Sequence, residues 1–180
     1  MVRCFIGFLI QEESKEKIRQ VIEELKGLPM ECKFVEEENL HLCFSFLGEV
    51  EDEKIKDISS GIDSAASNYS SFDVKIHGMK MIPNENYIRV LALDVDGGST
   101  LARMIKSIQE EVGGDAKPPH LTLCRIRSVK DKQTFVERIK ELQDREITNF
   151  TVDSIQLIRS ELSKSGPIYT AIHESKLKVE

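Results

Sequence analysis

The chain has 180 residues, 40% of them apolar and 31% charged, which is enough for a packed core and excludes a disordered chain. No apolar run approaches the ~20 residues needed to span a bilayer, and a formal net charge of −6 argues against nonspecific duplex binding. Cys4, Cys32, Cys43 and Cys124 form no C-x-x-C pair and no finger spacing with a histidine, so reduced thiols in a cytoplasmic protein are expected.

The first ten residues, Met1 to Ile10, are apolar but short. They contain Gly7, and an acidic stretch follows without a small-residue cleavage site. They read as a buried first strand rather than a secretion signal. A helix is predicted from about Ser14 to Lys26, with Ile18, Val21, Ile22 and Leu25 on one face. A strand over Leu40 to Leu47 follows, then a helix after Asp52 with Ile55, Ile58 and Ile62 inward. Phe72 to Ile82 and Tyr87 to Val95 read as strands joined by a turn at Pro83-Asn84-Glu85-Asn86.

After Ser99 a third helix turns Leu101, Ile105, Ile108 and Val112 inward and stops at Gly113-Gly114. Pro119 to Ile126 is the next strand. A fourth helix begins near Asp131, with Phe135, Ile139 and Leu142 inward. Phe150 to Ile158 and Ile168 to Ile172 form a last hairpin. Ser14, Ser99 and Asp131 are the expected N-caps. Helices mixed with hairpins give an α+β class with mainly antiparallel sheets, and 1–180 reads as one domain.

The charge is uneven. Residues 11–66 hold fifteen acids and seven bases, whereas residues 117–132 hold five bases and one acid. A small anionic group could be drawn to the second region, although ordinary surface scatter accounts for the pattern equally well.

Two segments carry chemistry. In Leu40-His41-Leu42-Cys43-Phe44-Ser45-Phe46, alternation puts the apolar side chains on one face and His41, Cys43 and Ser45 on the other. In His120-Leu121-Thr122-Leu123-Cys124-Arg125, it puts Leu121 and Leu123 on one face and His120, Thr122 and Cys124 on the other. Each strand thus presents a histidine and, about 7 Å along the same face, a small hydroxyl or thiol. Opening a cyclic phosphodiester requires a proton taken from water and a proton given to the leaving oxygen. Histidine does both near neutral pH, and a neighbouring hydroxyl can bond a nonbridging oxygen.

At these residues the chain resembles the two-histidine phosphoesterase superfamily, marked by a pair of His-x-Thr/Ser-x motifs. The likeness is nearest to the bacterial and archaeal RNA 2′,3′-cyclic phosphodiesterases, historically called 2′-5′ RNA ligases. It extends through Arg3-Cys4-Phe5-Ile6-Gly7, Phe46-Leu47-Gly48-Glu49-Val50, the Pro83 to Val90 hairpin and Ser160 to Tyr169.

The resemblance implies a bilobal fold: two sheets in pseudo-twofold relation, helices outside and the cleft between them. It implies metal-independent hydrolysis of an RNA 2′,3′-cyclic phosphate to a 2′-phosphate without a cofactor, with weak ligation in reverse. It makes His41 the proton donor and His120 the proton acceptor, roles that spacing alone does not assign. An RNA with a cyclic phosphate end is the implied partner, tRNA halves included, and a monomer is expected.

Cys43 departs from the motif, since a thiol is a weak donor and acceptor where Thr or Ser usually stands. Thr122 and Cys43 are the expected phosphate contacts. Arg125 has the wrong parity to reach the phosphate unless its strand bends. Tyr87 and Tyr169 either stack a base at the cleft edge or pack in the core. His77 and His173 read as structural. A metal on His41 and His120 would need carboxylate or thiolate partners, and Cys43 and Cys124 could supply thiolates. The rival functions are a nonenzymatic nucleotide or RNA-end binding module, and a phosphodiesterase acting on a small cyclic nucleotide.

Overall fold

A computed structural model describes residues Met1–Glu180. In β1 (Val2–Leu9) Cys4, Phe5, Ile6 and Phe8 are all buried. A strand covered on both faces belongs inside a sheet, and β1 lies between β3 (His41–Val50) and β8 (Ser154–Ser163), with β9 (Gly166–Lys176) beyond β8. The second sheet runs β2 (Met30–Phe34), β6 (His120–Val129), β5 (Tyr87–Asp96), β4 (Phe72–Asn84), β7 (Glu146–Val152). All pairings are antiparallel. Without β2, the order β3-β1-β8-β9 corresponds to β6-β5-β4-β7, which is the expected pseudo-twofold arrangement.

Helices cover the outer faces. In α1 (Glu12–Lys26) the spacing of Ile18, Val21, Ile22 and Leu25 makes one apolar stripe, and the helix packs against β7. In α2 (Ile55–Ala66), Ile62, Ala65 and Ala66 face β8 and β9. In α3 (Gly98–Glu111), Leu101, Met104, Ile105 and Ile108 are buried, and the helix lies against α2 and β3. In α4 (Lys132–Glu141) Phe135 and Ile139 point inward. No helix is long and apolar enough to cross a membrane.

Several boundaries differ from the sequence expectations. Ser14 and Ser99 lie inside their helices, whose N-caps are Gln11 and Gly97. Asp131 is a cap as expected, its carboxylate accepting the Thr134 N–H at 3.1 Å. The predicted strand Phe150 to Ile158 is two strands, because the chain leaves one sheet at Val152 and enters the other at Ser154. The short, half-exposed β2 carries too weak an alternation to be read from sequence.

The largest difference lies in the histidine strands. Gly7 pairs with Cys43 and Ile6 with Ser45, so Phe44 is an extra residue in β3. Ala92 pairs with Thr122 and Leu91 with Cys124, so Leu123 is extra in β6. Such a bulge reverses the parity of the residues that follow it. Ser45 and Cys124 therefore turn into the core, both fully buried, and not into the cleft as regular alternation predicts. Phe46 and Arg125 turn out of the core.

The loop after α3 docks on the edge of β3. Phe46 and Asp115 exchange backbone hydrogen bonds, each 2.9 Å long, and Ser45 Oγ donates to the Gly113 carbonyl at 2.8 Å. Gly114 sits at φ +93°, and a Cβ there would collide with Ser45 Oγ and crowd Leu47. Gly113, at φ +90°, has open space where its Cβ would go. Gly113→Ala is therefore expected to cost about 1–2 kcal/mol of backbone strain alone, and Gly114→Ala visibly more, by roughly another 1–3 kcal/mol of overpacking. Urea unfolding of the two variants checks the order.

Candidate active site

His41 and His120 stand at the first positions of β3 and β6. Their Nδ1 atoms are held in the same way, that of His41 2.7 Å from the Asn39 carbonyl and that of His120 3.0 Å from the Pro118 carbonyl. A carbonyl can only accept, so Nδ1 carries the proton on both rings. Nε2 is then a base when the ring is neutral and an acid when it is charged. Both rings line one cavity of about 440 Å³ between the sheets, together with Cys43 and Thr122. The four residues of the two motifs thus come together in one place.

The bulges add residues that regular alternation excludes. Arg125 lines the cavity beside Thr122, so the opposite parity expected for it is undone by the extra Leu123. Phe46, the corresponding residue of β3, lines it as well and is 40% exposed. Lys33 enters from β2 and Asp115 and Lys117 from the loop after α3. Lys117 falls in the basic stretch to which the sequence could draw an anion, whereas Phe46, Lys33 and Asp115 were not legible as site residues. Only the superposition of the two motifs, His-x-Cys-x-x-Phe on His-x-Thr-x-x-Arg, could have drawn attention to Phe46.

The two tyrosines part company. Tyr169 lines the cavity, with its ring edge-on to His41 at a centroid distance of 5.2 Å. Tyr87 is exposed on the β4–β5 hairpin, where its hydroxyl accepts from Arg89 at 2.6 Å, and is not part of the cavity. His77 and His173 do not line the cavity, and His173 Nε2 is 2.7 Å from the Asp63 carboxylate. No three His, Cys, Asp or Glu side chains converge as a metal cluster.

The model of the LigT like Phosphoesterase family matches residues 9–92 and 94–169. The chain belongs to that family. LigT-like relatives include a Methanocaldococcus jannaschii protein, 34% identical over 96% of this chain and 99% of its own. A Methanothermobacter thermautotrophicus protein is 32% identical over 98% of this chain and 99% of its own. Both bear the name RNA 2′,3′-cyclic phosphodiesterase. Among solved structures, one from Thermus thermophilus superposes with a TM-score of 0.83 at 22% identity, covering 99% of each chain. E. coli LigT in apo form superposes with a TM-score of 0.77 at 22% identity, covering 98% of each chain. These two share the fold.

In this LigT-like phosphoesterase the two histidines have unequal surroundings. Phe5 and Tyr169 crowd His41, with ring centroids 4.7 and 5.2 Å away. Burial foremost, then the charges of His120 and Arg125, holds His41 below the ordinary imidazole value, against the pull of the Asn39 carbonyl. Burial, followed by the Asp115 carboxylate, pushes the Cys43 thiol up to about 11. Cys43 is therefore a neutral thiol at physiological pH and places no negative charge against a phosphate.

An NMR titration checks the aromatic wall. His41 should titrate below ~6.5, the ordinary value. Tyr169→Ala, which lets water in, should raise its midpoint. The sign for stability follows. The unfolded chain takes up this proton first as pH falls, so the neutral His41 contributes stability above ~6.5 that is lost toward the native midpoint. A His41 midpoint at or above ~6.5 in the intact protein contradicts the assignment.

Proposed function

We propose that this LigT-like phosphoesterase hydrolyses RNA ends carrying a 2′,3′-cyclic phosphate to 2′-phosphates, tRNA halves among the substrates. The observation that carries the reading is the pair of imidazoles, fixed in one tautomer by backbone carbonyls and lining one cavity. The names of the full-length relatives support the substrate.

The cyclic phosphate sits between the two Nε2 atoms. His120, neutral, takes a proton from water as the water oxygen attacks phosphorus. The P–O3′ bond breaks, and His41, charged, gives its proton to O3′, leaving the phosphate on O2′. The depressed affinity of His41 for protons makes its imidazolium a readier donor. The anionic substrate supplies the opposite charge that loads it. Thr122 donates to a nonbridging oxygen and Arg125 adds positive charge beside it. No step uses a metal, and neither histidine needs one.

One observation favours a second reading. Cys43, a weak donor, stands where the other motif has Thr122, which fits a protein that binds a cyclic phosphate end without turning it over. An RNA ending in a 2′,3′-cyclic phosphate, incubated with EDTA, separates the two. The expected product is a 2′-phosphate with a free 3′-hydroxyl, and unchanged RNA held in a complex supports the binding module. A hydrogen bond to a charged group is worth about 1.5–3 kcal/mol, part of which a thiol already provides. Cys43→Thr is accordingly expected to raise kcat/KM roughly three- to thirtyfold, at ~1.4 kcal/mol per tenfold, and Thr122→Val to lower it by at least as much. A neutral Cys43→Thr with a severe Thr122→Val shows that the two sides do not act alike.

A further inference from the structure

Asn39 is 2% exposed and ends a 3-10 turn over Glu37–Asn39, two residues before His41. A buried amide costs free energy unless it is bonded. Its Nδ2 donates to the Pro167 carbonyl at 2.7 Å, near the start of β9. Its own backbone carbonyl accepts the His41 Nδ1 proton, also at 2.7 Å. One residue thus touches both the imidazole and a strand at the far side of the sheet.

That strand is not a neighbour of β3. The order β3-β1-β8-β9 puts two strands between them, roughly 14 Å in a flat sheet. Yet Tyr169, two residues after Pro167 on the same face of β9, brings its ring to 5.2 Å from His41 and 5.1 Å from Phe5, between centroids. The sheet must curl for these rings to meet. Between the 3-10 turn and β9, the Asn39 amide makes the only side-chain hydrogen bond across the gap. The second motif lacks this device. Pro118 supplies the carbonyl for His120 and has no side-chain donor.

We infer that Asn39 is a positioning residue for His41, whose side-chain amide draws β9 across the open side of the curled sheet and so sets the Tyr169 ring against the imidazole. That His41 is the proton donor rests on the cyclic phosphodiesterase reading above, whereas the clamp on its ring does not.

Asn39→Ala removes the donor, leaves the Pro167 carbonyl unpaired and frees β9 from the ring. The His41 midpoint, followed by NMR, should then rise toward ~6.5 as water enters. The charged side chains of the cavity, Lys33, Glu36, Asp115, Lys117, His120 and Arg125, are unaltered in this variant, so the rise reports hydration. Asn39→Ala should add little in a Tyr169→Ala protein, because the two changes act through one contact. On an RNA ending in a 2′,3′-cyclic phosphate, kcat should fall roughly three- to tenfold with KM nearly unchanged. An unmoved His41 midpoint or an unchanged kcat in Asn39→Ala overturns the inference, and so do midpoint shifts of the two substitutions that simply add. If Asn39→Ala does not fold, hydrogen exchange decides. The Asn39 side-chain amide protons should exchange slowly in wild type and faster in Tyr169→Ala, and free exchange in wild type overturns the clamp. A wild type that leaves the cyclic phosphate intact overturns the cyclic phosphodiesterase reading alone, since the titrations and the exchange need no substrate.

Discussion

The extra residue in each histidine strand is what lets an antiparallel sheet present the proposed phosphate site. A regular strand shows every second side chain to the cleft, so a histidine and a hydroxyl two places on would be followed by the fifth residue, Ser45 or Cys124. The bulge at Phe44 and at Leu123 buries two consecutive residues instead, and the sixth residue takes the place of the fifth. On β6 that change puts Arg125 beside Thr122. On β3 it puts Phe46 at the corresponding point and lets Ser45 tie down the loop that carries Asp115 and Lys117. Cleft wall and core anchor therefore come from one irregularity, used twice.

The symmetric frame carries an asymmetric site. Leu9 is paired with His41, whereas Asp94, engaged with Lys80 at 2.5 Å, is paired with His120. Phe5 and Tyr169 keep water from one ring and have no aromatic counterpart against the other. A catalyst needs its acid and its base to differ, and two copies of one unit would not differ by themselves. Packing provides the difference here. In the proposed mechanism the low proton affinity of His41 suits a donor once a phosphate lies against it.

Much of this was legible in the sequence. The 3.6-residue stripes of Ile, Val and Leu located all four helices, and the alternation around His41 and His120 drew attention to both rings and to their neighbours Cys43 and Thr122. Three kinds of feature were hidden. Bulges leave no compositional mark, so Arg125 was directed away from the cleft and Ser45 and Cys124 toward it. Lys33 sits on an edge strand with only partial burial, where pattern is weak. Tyr87 and Tyr169 each stand beside one isoleucine in sequence, Ile88 and Ile168. Which of them meets the cleft depends on where two hairpins end in space, a matter of long-range packing.

The division of labour between the two histidines is the centre of the account, and a change of leaving group tests it most directly. In a 2′,3′-cyclic phosphate whose 3′ bridging oxygen is sulfur, the group departs as a thiolate and needs little protonation, because a thiol is far more acidic than a sugar hydroxyl. Loss of the general acid should then matter little, while loss of the base should matter as before. With the ordinary oxygen substrate, His41→Ala and His120→Ala should both be slower than wild type by roughly 10²-fold or more. With the sulfur substrate, His41→Ala should recover to within about tenfold of wild type and His120→Ala should not recover. Recovery of His120→Ala instead would reverse the roles, and recovery of neither would contradict acid–base catalysis divided between the two rings.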